Sequence, residues 1–171
     1  MLTKAVVIAR ITAWLRYFSL KASNSNLVYG ERIMKVDVSR VDVWVASIED
    51  RPGGMAEKLD VLAQADVDLE FIIARRSSSS PGTAVVFVTP IKGARQARAA
   101  RKVGFEKTKS LRAIRVATGN KPGYGAELTK KLGGAGINLR GFSGASISNR
   151  AVFYVGFDSN EDAGKAIRLL K

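Results

Sequence analysis

Two short stretches carry the most suggestive chemistry in this chain, and each is a version of the other. Asp50-Arg51-Pro52-Gly53-Gly54-Met55 and Asn120-Lys121-Pro122-Gly123-Tyr124-Gly125 both place a polar residue, a base and a Pro-Gly pair ahead of a helical pattern. A helix start leaves backbone N–H groups unpaired and carries a partial positive charge. An anion such as a carboxylate can dock there. Glycine at 53, 54 and 123 lets a ligand come close to the backbone, and Lys121 favours an anionic group near the second loop. The plainer reading is that Pro-Gly only makes the turn and starts the helix. On that reading Glu57 and Glu127, one turn further on, are solvated first-turn acids that suit the helix dipole.

Other chemistry has little to work with. The chain has 171 residues, with no cysteine and no histidine. Disulfides, thiolate nucleophiles, histidine-based triads and Cys/His zinc sites are therefore excluded. Asp, Glu, Lys, Ser and Tyr remain for acid–base work, but there is no paired-carboxylate motif, P-loop or Rossmann fingerprint. The glycine-rich run from Gly133 to Ser146 falls at a helix end and within a strand, where glycine serves as a cap or bulge. No catalytic residues, metal or cofactor are expected.

Hydrophobic content of 46% and charged content of 25% are those of a soluble globular protein. The net charge of +13 is unevenly spread. Residues 1–70 hold nine bases and ten acids, residues 71–157 sixteen and two, and residues 158–171 three of each. A basic surface can attract nucleic acid, anionic lipid or acidic metabolites. Alternatively, the acidic and basic faces meet inside the molecule or across a dimer.

Residues 1–34 stand apart as an extension with bases at Lys4, Arg10, Arg16 and Lys21 and a first acid at Glu31. The segment is too charged to span a bilayer and lacks the layout of a secretory signal. It reads as lying outside the native fold, with Met34 as the natural beginning. A membrane-surface helix or an organellar presequence is the alternative. With no transmembrane segment, the expected location is cytoplasmic.

From residue 41 onward the pattern repeats at an offset of seventy, with Pro52 over Pro122, Leu62 over Leu132 and Leu69 over Leu139. Val41–Ile48 alternates as a strand. Pro52-Gly53 opens a helix whose apolar face is Met55, Leu59, Leu62 and Ala63. Residues 67–76 and 83–91 read as strands joined by the Ser77–Gly82 turn. Residues 93–105 read as a helix with Arg95, Arg98 and Arg101 in a basic stripe. A short fourth strand is expected near Gly104–Lys109. The second repeat has the same order and closes with a helix capped by Ser159 or Asn160. It runs out of chain before a fourth strand, which must be absent or supplied from elsewhere, as by the segment before Val41. The simplest packing is α+β: two ferredoxin-like βαββαβ units, each an antiparallel sheet with helices on one face. Residues 35–109 would form the first unit and residues 110–171 the second.

The two matching runs, Asp50–Leu69 and Asn120–Leu139, resemble the ACT domain family: a strand, Asn/Asp-x-Pro-Gly, a helix, then a Gly-Ile-Asn-Ile-like approach to the second strand. The resemblance covers roughly residues 41–171 and occurs twice in matching order. It implies a non-catalytic regulatory protein that senses an amino acid or similar small metabolite. It also implies side-by-side pairing of domains into one continuous sheet, a homodimer or higher assembly, and a protein partner for the output. Carried over residue by residue, the ligand loop is Asp50, Arg51, Pro52, Gly53, Gly54 and Met55 in one copy. In the other it is Asn120, Lys121, Pro122, Gly123, Tyr124 and Gly125. Asp50 stands where Asn is common, and Gly125 replaces the usual apolar residue. Asp50 or Asn120 could accept from a ligand ammonium group, and Asn120 could also donate to its carboxylate.

Two other readings compete. Ferredoxin-like units also bind RNA, and Arg150–Phe157 echoes an RNA-binding strand motif. Val152, however, stands where an aromatic should stack a base, so nucleic acid is not the expected partner. The other reading is a purely structural dimerisation scaffold, since exposed sheet edges favour partners.

Overall fold

The computed structural model describes residues 36–171; the expectation for residues 1–34 lies outside them. The elements run β1 (Asp37–Val41), β2 (Trp44–Glu49), α1 (Gly54–Gln64), β3 (Phe71–Arg76), β4 (Thr83–Thr89), α2 (Gly93–Lys102), β5 (Glu106–Lys107), β6 (Arg112–Gly119), α3 (Tyr124–Gly134), β7 (Gly141–Ile147), β8 (Arg150–Phe157) and α4 (Asn160–Leu170). None of the described helices is long and apolar enough to cross a membrane.

The strands form two four-stranded sheets, ordered β3-β4-β2-β5 and β1-β6-β8-β7. Every neighbouring pair is antiparallel. Both orders are those of a ferredoxin-like unit. Alternation along each strand sends one set of side chains to the helices. Trp44, Ala46 and Ile48 of β2 and Ala84, Val86 and Val88 of β4 meet Leu62, Ala100 and Phe105 in the first core. Ile114 and Val116 of β6 and Val155 and Phe157 of β8 meet Leu128, Leu132, Ala163 and Ala166 in the second. Ser159 caps α4, its hydroxyl accepting from the Asp162 N–H at 2.9 Å.

The second repeat does take its missing strand from before Val41. β1 pairs with β6 in the register Val38↔Val116, and Val38 is buried in the second core. Arg40 fastens the strand to α4, donating to the Asn160 carbonyl at 3.1 Å. By pairing, then, residues 37–41 lie in the second sheet and not with the 35–109 segment in which they were expected. The whole first unit is inserted between the fourth and first strands of the second. The single strand expected over Val41–Ile48 is accordingly two, divided at Asp42 and Val43. Alternation continues through the break because it records which face each side chain takes, not which sheet the backbone joins. On α1 the buried stripe is narrower than expected. Leu62 is buried and Leu59 partly so, while Met55 and Ala63 are exposed.

A chain shortened to begin at Asp42 loses both the ladder on β6 and the Val38 contact. It should be less stable to urea by at least ~3 kcal/mol, with amide protection falling in β6 and not in β4. A chain beginning at Met34 should keep that protection. Equal stability of the two would contradict the pairing.

Candidate ligand-binding loops

Each Pro-Gly loop is built in the same way. Gly53 and Gly123 adopt left-handed backbone, with φ of 84° and 81°, and act as N-caps that provide no side-chain hydrogen bond. A residue with a Cβ is strained there. The first helical N–H turns back, Gly54 to the Arg51 carbonyl at 3.2 Å and Tyr124 to the Lys121 carbonyl at 3.3 Å. Glu57 and Glu127 then bond back to the carbonyls of Gly53 and Gly123. Between these, the N–H groups of Met55 and Ala56, and of Gly125 and Ala126, have no backbone acceptor among the described residues. Each loop thus offers two adjacent donors at a positive helix end.

Tandem domains of this topology are known. No protein-family model matches the sequence, and no curated protein does. Solved structures do match. A protein of Bacteroides thetaiotaomicron superposes with a TM-score of 0.64 at 17% identity, over 78% of this chain and 88% of that one. The ligand-free regulatory subunit of aspartate kinase from Thermus thermophilus gives 0.56 at 16% identity, over 81% and 97%. Aspartate kinase of Clostridium acetobutylicum gives 0.55 at 14% identity, over 86% of this chain and 36% of its own. The fold is that of two ACT-type units. At these identities the likeness is one of fold.

The side chains distinguish the two Pro-Gly loops. In the first, every charge is already engaged. Arg51 donates to Glu49 at 2.6 Å and to both carboxylate oxygens of Glu57 at 2.8 Å. Those carboxylates, Glu49 foremost, hold the guanidinium above its ordinary pKa. Asp50 is 2.9 Å from Arg76 of β3. In the second loop Lys121 pairs with Glu127 at 2.7 Å. The Asn120 amide donates only a long 3.4 Å bond to the Ser148 carbonyl, and its oxygen has no donor among the described residues. Beside this loop lies an aromatic group. Tyr124 stacks on Phe153 at 5.7 Å, and Phe142 meets Phe153 at 5.5 Å.

Glu57 and Glu127 are therefore not simply solvated. In both units the acid six residues after the loop base holds that base over the helix start. The signal was in the sequence, since Arg51/Glu57 and Lys121/Glu127 repeat at the same spacing. Helix-dipole reasoning alone does not show it.

The two loops are not brought together in one chain. No hydrogen bond or ion pair among the described residues joins them, and the two sheets remain separate instead of forming one continuous sheet. The units touch elsewhere. Phe71 lies 4.5 Å from Tyr154, and Arg115 Nε lies 3.1 Å from Glu70, an ion pair whose angle is too oblique for a hydrogen bond. Burial at this seam, with Glu70 adding to it, pushes the Tyr154 phenol above its usual pKa.

The loop glycines differ in what they tolerate. A Cβ on Gly54 would sit 2.6 Å from the Glu49 carbonyl oxygen, whereas one on Gly125 would meet Phe153 at an ordinary 3.6 Å. Gly54→Ala should cost about 1–3 kcal/mol through overpacking. Gly125→Ala should gain about 0.5–1 kcal/mol by restricting the unfolded chain and favouring helix. Thermal melts of the two variants should shift in opposite directions.

Proposed function

We propose that this protein is a non-catalytic regulatory sensor that binds an amino acid or similar small metabolite at its second loop, Asn120–Gly125. One observation carries the reading: within one loop, the exposed Asn120 oxygen and the helix-start N–H groups of Gly125 and Ala126 have no hydrogen-bond partner among the described residues. A carboxylate fits the N–H pair, and an ammonium group fits the carboxamide oxygen. The aromatic cluster of Tyr124, Phe142 and Phe153 would lie under the ligand's side chain. The first loop is the weaker candidate because a ligand must displace Arg76 from Asp50.

The same reading makes the protein a homodimer or higher assembly, with the ligand at the interface between copies. Its support is the character of the sheet edges. β7 is an edge strand whose Ile147 is 81% exposed, and Phe142 at its start is 40% exposed. Such an edge invites a second copy. Output would pass through a protein partner. The RNA-binding alternative loses its platform, since Tyr154 is 8% exposed and lies against Phe71, while Phe157 is buried in the second core.

Thermal unfolding against the twenty amino acids tests the sensor. A ligand at a hundred times its Kd adds about 2.7 kcal/mol, or roughly 5–10 °C for a chain of this size. The expected result is a selective shift that Asn120→Ala removes and Asp50→Ala leaves. No shift with any amino acid leaves only a dimerisation scaffold. Sedimentation tests the edge: Ile147→Lys should move the protein toward monomer without lowering its melting temperature by more than ~2 °C.

A further inference from the structure

The helix-free faces of the two sheets border a cleft of about 370 Å³. In the second sheet it is at the end away from the Asn120–Gly125 loop; in the first it runs along β3 from Phe71 to Arg75, whose neighbour Arg76 pairs with Asp50. The second loop follows the last residue of β6, whereas the cleft is lined by Ala113, near the start of β6. Ala113 and Asn120 are seven residues apart along an extended strand, about 23 Å.

One wall is apolar where a solvated face would be polar. Phe71 and Ile73 of β3 and Phe87 of β4 line it, on the side of the first sheet away from its core. The floor is nearly bare backbone. Ala113, Gly156 and Gly141 sit opposite one another on three adjacent strands, and all three line the cleft. A Cβ on Gly156 would lie 2.7 Å from Leu111 Cδ1.

The charge in the cleft has one sign. Arg75 and Arg140 line it, and no acid does. Arg140 is occupied, 3.1 Å from Asp158 and donating to the Ser110 carbonyl at 2.7 Å. Arg75 has no ion-pair or hydrogen-bond partner from its side chain among the described residues. An unpaired guanidinium over an apolar wall and a flat floor is complementary to a small anion with a flat or branched apolar body.

We infer that this cleft is a second ligand site, separate from the Asn120–Gly125 loop, which takes a small carboxylate with an aromatic or branched apolar body. The carboxylate meets Arg75 and the body lies between Phe71, Ile73 and Phe87 and the Ala113-Gly156-Gly141 floor. Because the two walls belong to different units, an occupant also bridges them.

The test is titration of the ¹⁵N-labelled full chain with 3-phenylpropionate, using 3-phenylpropanol as the neutral counterpart. The expected result is saturable movement of the Gly141 and Gly156 amides. Affinity should be about tenfold weaker for the alcohol, and about tenfold weaker for the acid in Arg75→Gln. Arg75 is exposed, so this variant should keep the wild-type fold. Ile73→Trp, which fills the cleft, should abolish the shifts, and Asn120→Ala should leave them. The inference is overturned by stationary Gly141 and Gly156 amides up to ~10 mM probe. Equal affinity for acid and alcohol, or movement confined to Gly53, Gly54, Gly123 and Gly125, also overturns it. The last result would place the probe at the loops, so the two readings fail separately.

Discussion

The ladder between β1 and β6 is the constraint on which the rest of the architecture depends. It joins residues 37–41 to residues 113–117, across the whole of the first unit. Closing a loop of that length from a disordered chain costs about 4 kcal/mol in entropy before any contact offsets it. The first unit reduces that cost by its own folding. β2 pairs with β5 as Trp44↔Lys107 and Val45↔Glu106, and the Val43 carbonyl accepts from the Thr108 N–H at 3.0 Å. The two ends of the first unit are thereby held side by side, and β1 and β6 leave it already adjacent. The short β5 strand matters less for its own burial than for this clipping of the ends.

That geometry shows which parts of the molecule were legible in the sequence. The repeat at offset seventy located α1 and α3, and the Pro-Gly pairs located their starts. Both follow from local rules: 3.6-residue periodicity, left-handed glycine and proline's fixed φ. The missing fourth strand was legible as a count, because one repeat ran out of chain. The split at Asp42 was not. Val41, Val43 and Val45 alternate without interruption, and a change of sheet leaves no mark on alternation. The ion pairs that brace the loops were half legible. Arg51/Glu57 and Lys121/Glu127 share a spacing, but six residues is not a same-face interval on a helix. Each base lies before the helix and reaches forward over its first turn, so only the loop's shape brings the partners together.

The duplicated loops have diverged in their chemistry while keeping their backbone. Gly53 and Gly123 differ by three degrees in φ. Around that frame, the first copy has closed on itself through Arg51, Glu49, Glu57, Asp50 and Arg76. In the second, the Asn120 side chain makes a single long bond, to the Ser148 carbonyl. Exposed ion pairs of this kind contribute little to stability, ~0–1 kcal/mol each. The first loop's network is better understood as holding a conformation than as holding the fold together.

The uneven charge of the chain resolves in part along the same lines. Four of the eight acids of residues 41–70 pair with bases beyond residue 70: Asp42 with Lys107, Asp50 with Arg76, Asp66 with Arg95 and Glu70 with Arg115. The first three of these lie within the first unit. The last crosses the seam, and Arg115 also holds Asp37 of β1 at 3.0 Å. One guanidinium therefore touches the inserted unit, the strand that precedes it and the strand that follows it. Most of these pairs form inside the first unit, where early acids meet later bases; the insertion adds the one that crosses the seam. Arg75, on the same basic stretch, is left over from this pairing, and it is left over at the cleft where the two units face one another.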